Sequence, residues 1–189
     1  KRELLPKIVR GELFFGVGYS EPNAGTDLAS LQTRAVRDGD HYVINGQKIF
    51  TTHAHDAEYI WLAARTDPDA PKHRGISWLI CPMDLPGIEI RPLPTLAGET
   101  EFSEVFFSDV KVPVSARVGA ENDGWRVANV TLRFERGTSF AQHVITLRTQ
   151  LHRLVVLARD RLGRWNDPSL RRRVGELEAN VEALWRLTQ

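Results

Sequence analysis

The sequence predicts an α+β protein. An antiparallel β-barrel or sandwich covers residues 13–118, the first helices of a long-helix bundle cover 119–189, and residues 1–12 read as the tail of a preceding helical region. Three observations carry this. Between Leu13 and Val118, short apolar or alternating runs recur between Gly, Asn, Asp and Pro turn signals, the texture of many short strands. From Trp125 to Leu162 there is no proline, and Val127, Val130, Phe134, Ile145, Leu151, Leu154 and Val155 fall at helical spacing. After Asn166-Asp167-Pro168, a clean amphipathic stripe runs through Leu170, Val174, Leu177, Val181 and Leu184.

Residues Lys1 to Arg10 have a helical tint without an N-cap before them. Leu13-Phe14-Phe15-Gly16-Val17-Gly18 reads as a buried strand that stops at Glu21-Pro22, because proline cannot continue a ladder. Thr33–Val36 and His41–Ile44 flank Asp38-Gly39-Asp40, a hairpin signal, and Asn45-Gly46 reads as a second tight turn before Gln47–Thr52. Tyr59–Ala64 is almost entirely apolar and reads as a central strand buried on both faces. Thr66–Arg74 is a polar loop, Ile76–Cys81 another buried strand, Gly87–Pro92 an alternating one, and Glu104–Val110 the last strong strand. Asn122-Asp123-Gly124 starts the long helix, and Pro168 suits the first turn of the next.

The bulk numbers exclude more than they assign. A net charge of +1 gives no reason to invoke nucleic acid or an anionic membrane, and no apolar run reaches a bilayer span. No signal-peptide pattern opens the sequence. The single Cys81 rules out an internal disulfide, reads as a buried small hydrophobe and fits a reducing, cytoplasmic setting. The histidines suggest no metal site. His53, His55 and Asp56 are close in sequence but point alternately if they lie on a strand end, and neither H-E-x-x-H nor a second cysteine is present.

The chain is organised around Tyr19-Ser20-Glu21-Pro22-Asn23-Ala24-Gly25-Thr26-Asp27. A strand ending in a small-residue loop lets a flat ligand lie against backbone, and the loop supplies hydroxyls and free N–H groups. Gly16 and Gly18 do not make a dinucleotide fingerprint, since Glu21 stands where a third glycine would be. The segment resembles the T/S-E-P-x-A-G-S/T-D signature of the acyl-CoA dehydrogenase family. Three further segments are similar to that family in the same order: Asn45–Thr52 to N-G-x-K-x-W-I/T-T/S, Phe102–Pro113 to F-x-E-V-x-F-x-D-V-x-V-P, and Gly119–Trp125 to the lead-in of its long helix. The resemblance runs over essentially all of the chain and makes it about half of a family member. Phe50 stands where the family usually has Trp, His53 where Asn or Ser is more common, and Gly163–Pro168 in place of an R-x-x-F-G motif.

What the resemblance implies is an FAD enzyme that desaturates an acyl-CoA thioester between the α and β carbons. Its cofactor-binding residues would be Tyr19, Ser20, Gly25, Thr26, Phe50, Thr51 and Thr52, with Thr26 and Arg136 also toward substrate. The α-proton would go to Glu135 on the long helix, or to a base from a later loop that this chain lacks. Thr51 and Thr52 are otherwise ordinary strand residues, Thr26 a helix N-cap or turn residue, and Glu135-Arg136 an ordinary solvated pair. The implied partners are an electron-transfer flavoprotein and further copies in a dimer of dimers, with no nucleic acid. An acyl-CoA oxidase of the same fold stays open, as does a non-catalytic module that completes a site only within a complex.

Overall fold

The computed structural model describes residues 2–187, and the side chains of residues 136–139 lie outside it. It divides into two compact units, one reaching to Ala128 and one running from Asn129 onward. The first unit holds a short helix, α1 (Leu4–Val9), and eight strands: β1 (Phe15–Gly18), β2 (Arg34–Asp38), β3 (His41–Thr52), β4 (Tyr59–Arg65), β5 (Ile76–Pro82), β6 (Ile88–Leu93), β7 (Phe102–Pro113) and β8 (Arg117–Val118). The strand runs expected from β1 to β7 all appear. β8 is an addition, two residues long.

The expected all-antiparallel barrel or sandwich needs correction. The strands form one mixed sheet in the order β6-β7-β3-β2-β4-β5-β8, with β1 added on β4. β1 runs parallel to β4, and β2 meets β4 in parallel at Arg34 and Arg65. A parallel pair needs a crossover. Here the crossover from β1 to β4 is the loop after β1 plus the β2–β3 hairpin. Among the described residues β6 and β8 are not paired, so the sheet stays open. It does fold over on itself. Tyr42, Ile44, Val105 and Val110 from β3 and β7 share one buried cluster with Ile60, Leu62, Leu79 and Cys81 from β4 and β5. Each such large side chain contributes about 1.5–3 kcal/mol on burial. Arg117 of β8 donates to the Tyr42 hydroxyl of β3 at 2.7 Å, joining distant strands of the open sheet.

Asn45-Gly46 is not a turn either. β3 continues through it as a bulge against β7, with a register shift between Ile44 and Gly46. The Asn45 amide donates to Asp109 Oδ1 at 2.9 Å and its oxygen accepts the Asp109 N–H at 2.9 Å, so its turn-forming groups are spent across the sheet. Gly46 is required by space as well as by its φ of +148°, since a Cβ there would lie 2.6 Å from the Thr33 Cα.

On the other face of β4 and β5 a second buried cluster gathers Ala24, Leu31, Ala63, Ile76, Trp78 and Ala128, with Tyr19, Trp61 and Trp125 packed against it. Trp78 donates its indole N–H to the Gly124 carbonyl at 2.7 Å, which ties the start of helix α2 (Gly124–Val156) to the sheet.

In the second unit, α2 ends in a π-turn over Leu157–Arg161, and α3 spans Pro168–Leu187. Pro168 opens α3 as expected, with Asp167 Oδ1 accepting the N–H groups of Ser169 at 2.9 Å and Leu170 at 3.3 Å. Val144, Ala158, Val174 and Val181 are buried, and Arg148 pairs with Glu182 while lying over the Trp185 ring. Much of the apolar spacing that predicts these helices is nonetheless exposed, Phe134 at 70%. No described helix is long and apolar enough to cross a membrane.

Candidate active site

The loop after β1 is pinned to the last third of β3. The Ile49 N–H donates to the Ser20 carbonyl at 2.9 Å. Lys48 follows Tyr42 and Ile44 on the inward face of β3 and is fully buried. Its Nζ donates to Glu21 Oε1 at 2.8 Å and to the Tyr19 carbonyl at 3.2 Å. Glu21 also accepts the N–H groups of Gln32 at 2.6 Å and Thr33 at 2.9 Å. One buried carboxylate therefore gathers three segments, the loop, the entry to β2 and β3. Burial pushes the Lys48 ammonium down to about 8, against the raising pull of Glu21. For Glu21 burial works upward, but Lys48 and the N–H donors outweigh it and hold the carboxyl below its ordinary value. Both groups stay charged at neutral pH, which keeps the clamp closed.

Beyond Lys48 the strand departs from regular geometry. The β3–β7 register shifts again between Lys48 and Thr51. Phe50 has a φ of +58° and His53 of +48°, left-handed conformations that are uncommon outside glycine and that a bulky residue such as Phe50 avoids. They bracket Thr51 and Thr52. Phe50 is 61% exposed, with its ring edge-on to Phe102 at 6.3 Å. Thr51 is fully buried, and its Oγ1 has no hydrogen-bond partner among the described residues. Thr52 is half-buried. Strain of this kind persists only where the surroundings enforce it, and it gathers at functional sites.

The remaining predicted residues divide. Ser20 is half-buried at the clamp, and Tyr19 turns its ring onto Trp78, with centroids 4.7 Å apart. Gly25 and Thr26 are exposed at the loop tip. A Cβ on Gly25 would meet nothing, and its φ is not left-handed, so neither space nor conformation within this chain calls for glycine there. Asp27 holds the tip, accepting from Ser30 Oγ at 2.6 Å and from Lys72 Nζ at 2.9 Å. Glu135 lies in the second unit, exposed on α2, and Arg136 lies outside the described side chains. The fold thus gathers Tyr19 and Ser20 at the Glu21–Lys48 clamp, sets Thr51 and Thr52 further along β3 against β7, and leaves Phe50, Gly25 and Thr26 facing solvent.

Sequence reasoning missed the clamp itself. Its signal was a lone lysine on an inward position of an alternating strand, together with a lone acid just before a proline. It also mistook the turn after Thr52. His55 and Asp56 lie on a 3₁₀ turn, Ala54–Asp56, and not on a strand end, so their side chains converge with that of His53 instead of alternating.

Comparison with known proteins fits this arrangement. A family model described as acyl-CoA dehydrogenase, middle domain, matches residues 16–110, and one described as acyl-CoA dehydrogenase, C-terminal domain, matches residues 122–189. The chain belongs to the acyl-CoA dehydrogenase family. It is similar to acyl-CoA dehydrogenase IpdE1 of Mycobacterium tuberculosis, 44% identical over 184 residues that cover 97% of this chain and 48% of that protein. It is also similar to acyl-CoA dehydrogenase FadE29 of the same organism, 56% identical over 136 residues that cover 72% of this chain and 35% of that protein. Among solved structures, the Tcur3481-Tcur3483 steroid ACAD superposes with a TM-score of 0.81 at 44% identity, covering 99% of this chain and 49% of that one. The chain spans about half the length, or less, of these relatives.

Proposed function

We propose that this chain supplies the cofactor-binding face, and the helix that carries the base, of an FAD-dependent acyl-CoA dehydrogenase. The observation that carries the reading is the end of β3, where two left-handed residues frame a buried threonine hydroxyl that has no hydrogen-bond partner among the described residues. FAD, when bound, accepts the hydride as the acyl chain is desaturated. The residues present fit a flat, polar-edged group. Phe50 offers an exposed aromatic face, Thr51 and Thr52 offer hydroxyl and backbone donors, and Tyr19 and Ser20 frame the loop that closes on them. Gly25 keeps the loop tip clear, and the hydroxyl of Thr26 is free to meet cofactor or thioester. The strained geometry is fixed by the Glu21–Lys48 clamp, so the face is formed before any ligand arrives.

In this reading residues 13–118 form the middle domain, whose curled sheet the rest of a full-length enzyme would complete toward a barrel, and 119–189 open a helical bundle. Glu135 takes the α-proton from a rigid helical mount, with Arg136 ordering the thioester. An electron-transfer flavoprotein reoxidises the enzyme, and the working form is a cytoplasmic dimer of dimers. The likeness to a steroid ACAD makes a polycyclic acyl-CoA the first substrate to assay.

The test is anaerobic mixing of acyl-CoA with a full-length, FAD-loaded enzyme that contains this chain. Bleaching of the flavin's visible band is expected, with slow recovery in air. Fast recovery in air would make the protein an oxidase. Absence of bleaching with every acyl-CoA tried, while FAD stays bound, would leave a non-catalytic module.

A further inference from the structure

We propose that His53, His55 and Asp56 form a binding site for a divalent transition-metal ion of the zinc class. The proposal does not depend on the enzymatic reading above. One donor atom from each of the three lies within 4.8 Å of the others. Asp56 Oδ2 stands 3.4 Å from His55 Nε2 and 3.7 Å from His53 Nδ1. Zinc holds nitrogen and oxygen ligands at about 2.0–2.2 Å, which in a tetrahedron separates neighbouring donors by roughly 3.3–3.5 Å. The two spacings to Asp56 are close to that geometry, and the two imidazoles, with donor atoms within 4.8 Å of each other, would draw together on an ion.

The donors sit on a fixed mount. The left-handed backbone of His53 turns the chain out of β3, and the turn closes with the Asp56 N–H donating to the His53 carbonyl at 3.0 Å. Ala54 beneath it is fully buried and anchors the turn in the main core. His55 Nδ1 lies 3.5 Å from Oγ of the buried Ser103 on β7. That leaves Nε2 as the outward donor, in the way metal-binding histidines are oriented through their second nitrogen. The His53 ring stands edge-on to Phe14, with centroids 6.3 Å apart. Two imidazoles and one carboxylate are the ligand types of borderline cations such as zinc, and too nitrogen-rich for magnesium or calcium. All three residues face solvent, so the fourth position would hold water.

Isothermal titration of Zn²⁺ into the full 189-residue chain, in a buffer that does not chelate, tests the site. One ion per chain is expected at micromolar affinity. His53→Asn, which keeps a residue tolerant of the left-handed backbone, and His55→Ala should each weaken binding at least about tenfold, since each removes one of three ligands. His152→Ala, on α2, should leave binding unchanged. All three positions are exposed, so circular dichroism of the variants should match that of the parent. No saturable binding up to roughly a hundred micromolar Zn²⁺, or undiminished affinity in either His53→Asn or His55→Ala, would overturn the proposal.

Discussion

Lys48 places an ammonium group inside the fold, answered by one carboxylate. Removing one partner of a buried pair leaves the other uncompensated and costs about 3–5 kcal/mol. Lys48→Met should therefore lower the stability of the sheet unit by about that much in urea denaturation. The double variant Lys48→Met/Glu21→Gln should recover at least about 1 kcal/mol, because a neutral amide still accepts an N–H without a stranded charge. A double variant as unstable as Lys48→Met alone would show that the two groups are not coupled. The pair also has an acid signature. Glu21 titrates below its ordinary value of 4.5 in the fold, so in that acid range the unfolded chain binds more protons. Stability then rises with pH: the contribution is present above about 4.5 and is lost as pH falls through the folded value. Glu21→Gln should flatten that part of the pH–stability curve relative to the parent, and two superimposable curves would remove Glu21 as its source. Phe50 behaves differently. At 61% exposure it has little core to lose, and its left-handed backbone costs roughly 1–3 kcal/mol. Phe50→Gly should leave the melting temperature equal or higher while weakening FAD in a full-length enzyme. A loss of stability comparable to a core truncation would make Phe50 a packing residue instead.

β3 is the element on which the site depends, and it shows what the sequence makes legible. Its two halves, His41–Ile44 and Gln47–Thr52, read directly as strands, as do the apolar runs of β4 and β5. Its two irregularities do not. Asn45-Gly46 has turn chemistry, but Asp109 lies sixty-four positions away and takes the groups a turn would use. The choice between turn and bulge was made by tertiary contact, which local sequence does not contain. The left-handed Phe50 is likewise invisible in a composition that favours extended backbone. The parallel β1–β4 pair depends on a crossover that no single segment announces. The four motifs were recognisable one by one, whereas the clamp between the glutamate of the first and the lysine of the second exists only in three dimensions. Gly46 provides the check at this scale. A Cβ on it would press on the Thr33 Cα from 2.6 Å, so Gly46→Ala should destabilise the sheet unit by more than the roughly 1 kcal/mol typical of a strained glycine replacement. A melting temperature unchanged by Gly46→Ala would mean that the bulge can relax. On α2, Glu135→Gln keeps size and polarity but cannot take a proton. In a full-length enzyme it should slow flavin bleaching by at least about a hundredfold with FAD still bound, and bleaching at the parent rate would place the base elsewhere.

Across the whole molecule, the candidate face in the sheet unit is open to solvent, and the helices of the second unit leave large apolar side chains uncovered, among them Phe134 and Leu187. The chain spans about half the length of relatives such as IpdE1, so in the proposed reading it would supply only part of the contacts to the cofactor. Each hydrogen bond to a charged group contributes about 1.5–3 kcal/mol, and each 1.4 kcal/mol is a factor of ten in affinity. The loss of two or three such bonds removes several decades. The 189-residue chain should accordingly bind FAD weakly, even though Phe50, Thr51 and the signature loop are all present and preformed. Fluorescence titration of FAD at roughly 10 µM into the purified chain should show no stoichiometric quenching. Tight, one-to-one binding would mean that the sheet unit alone holds the cofactor, and that the strained end of β3 supplies more of the affinity than its exposed contacts suggest.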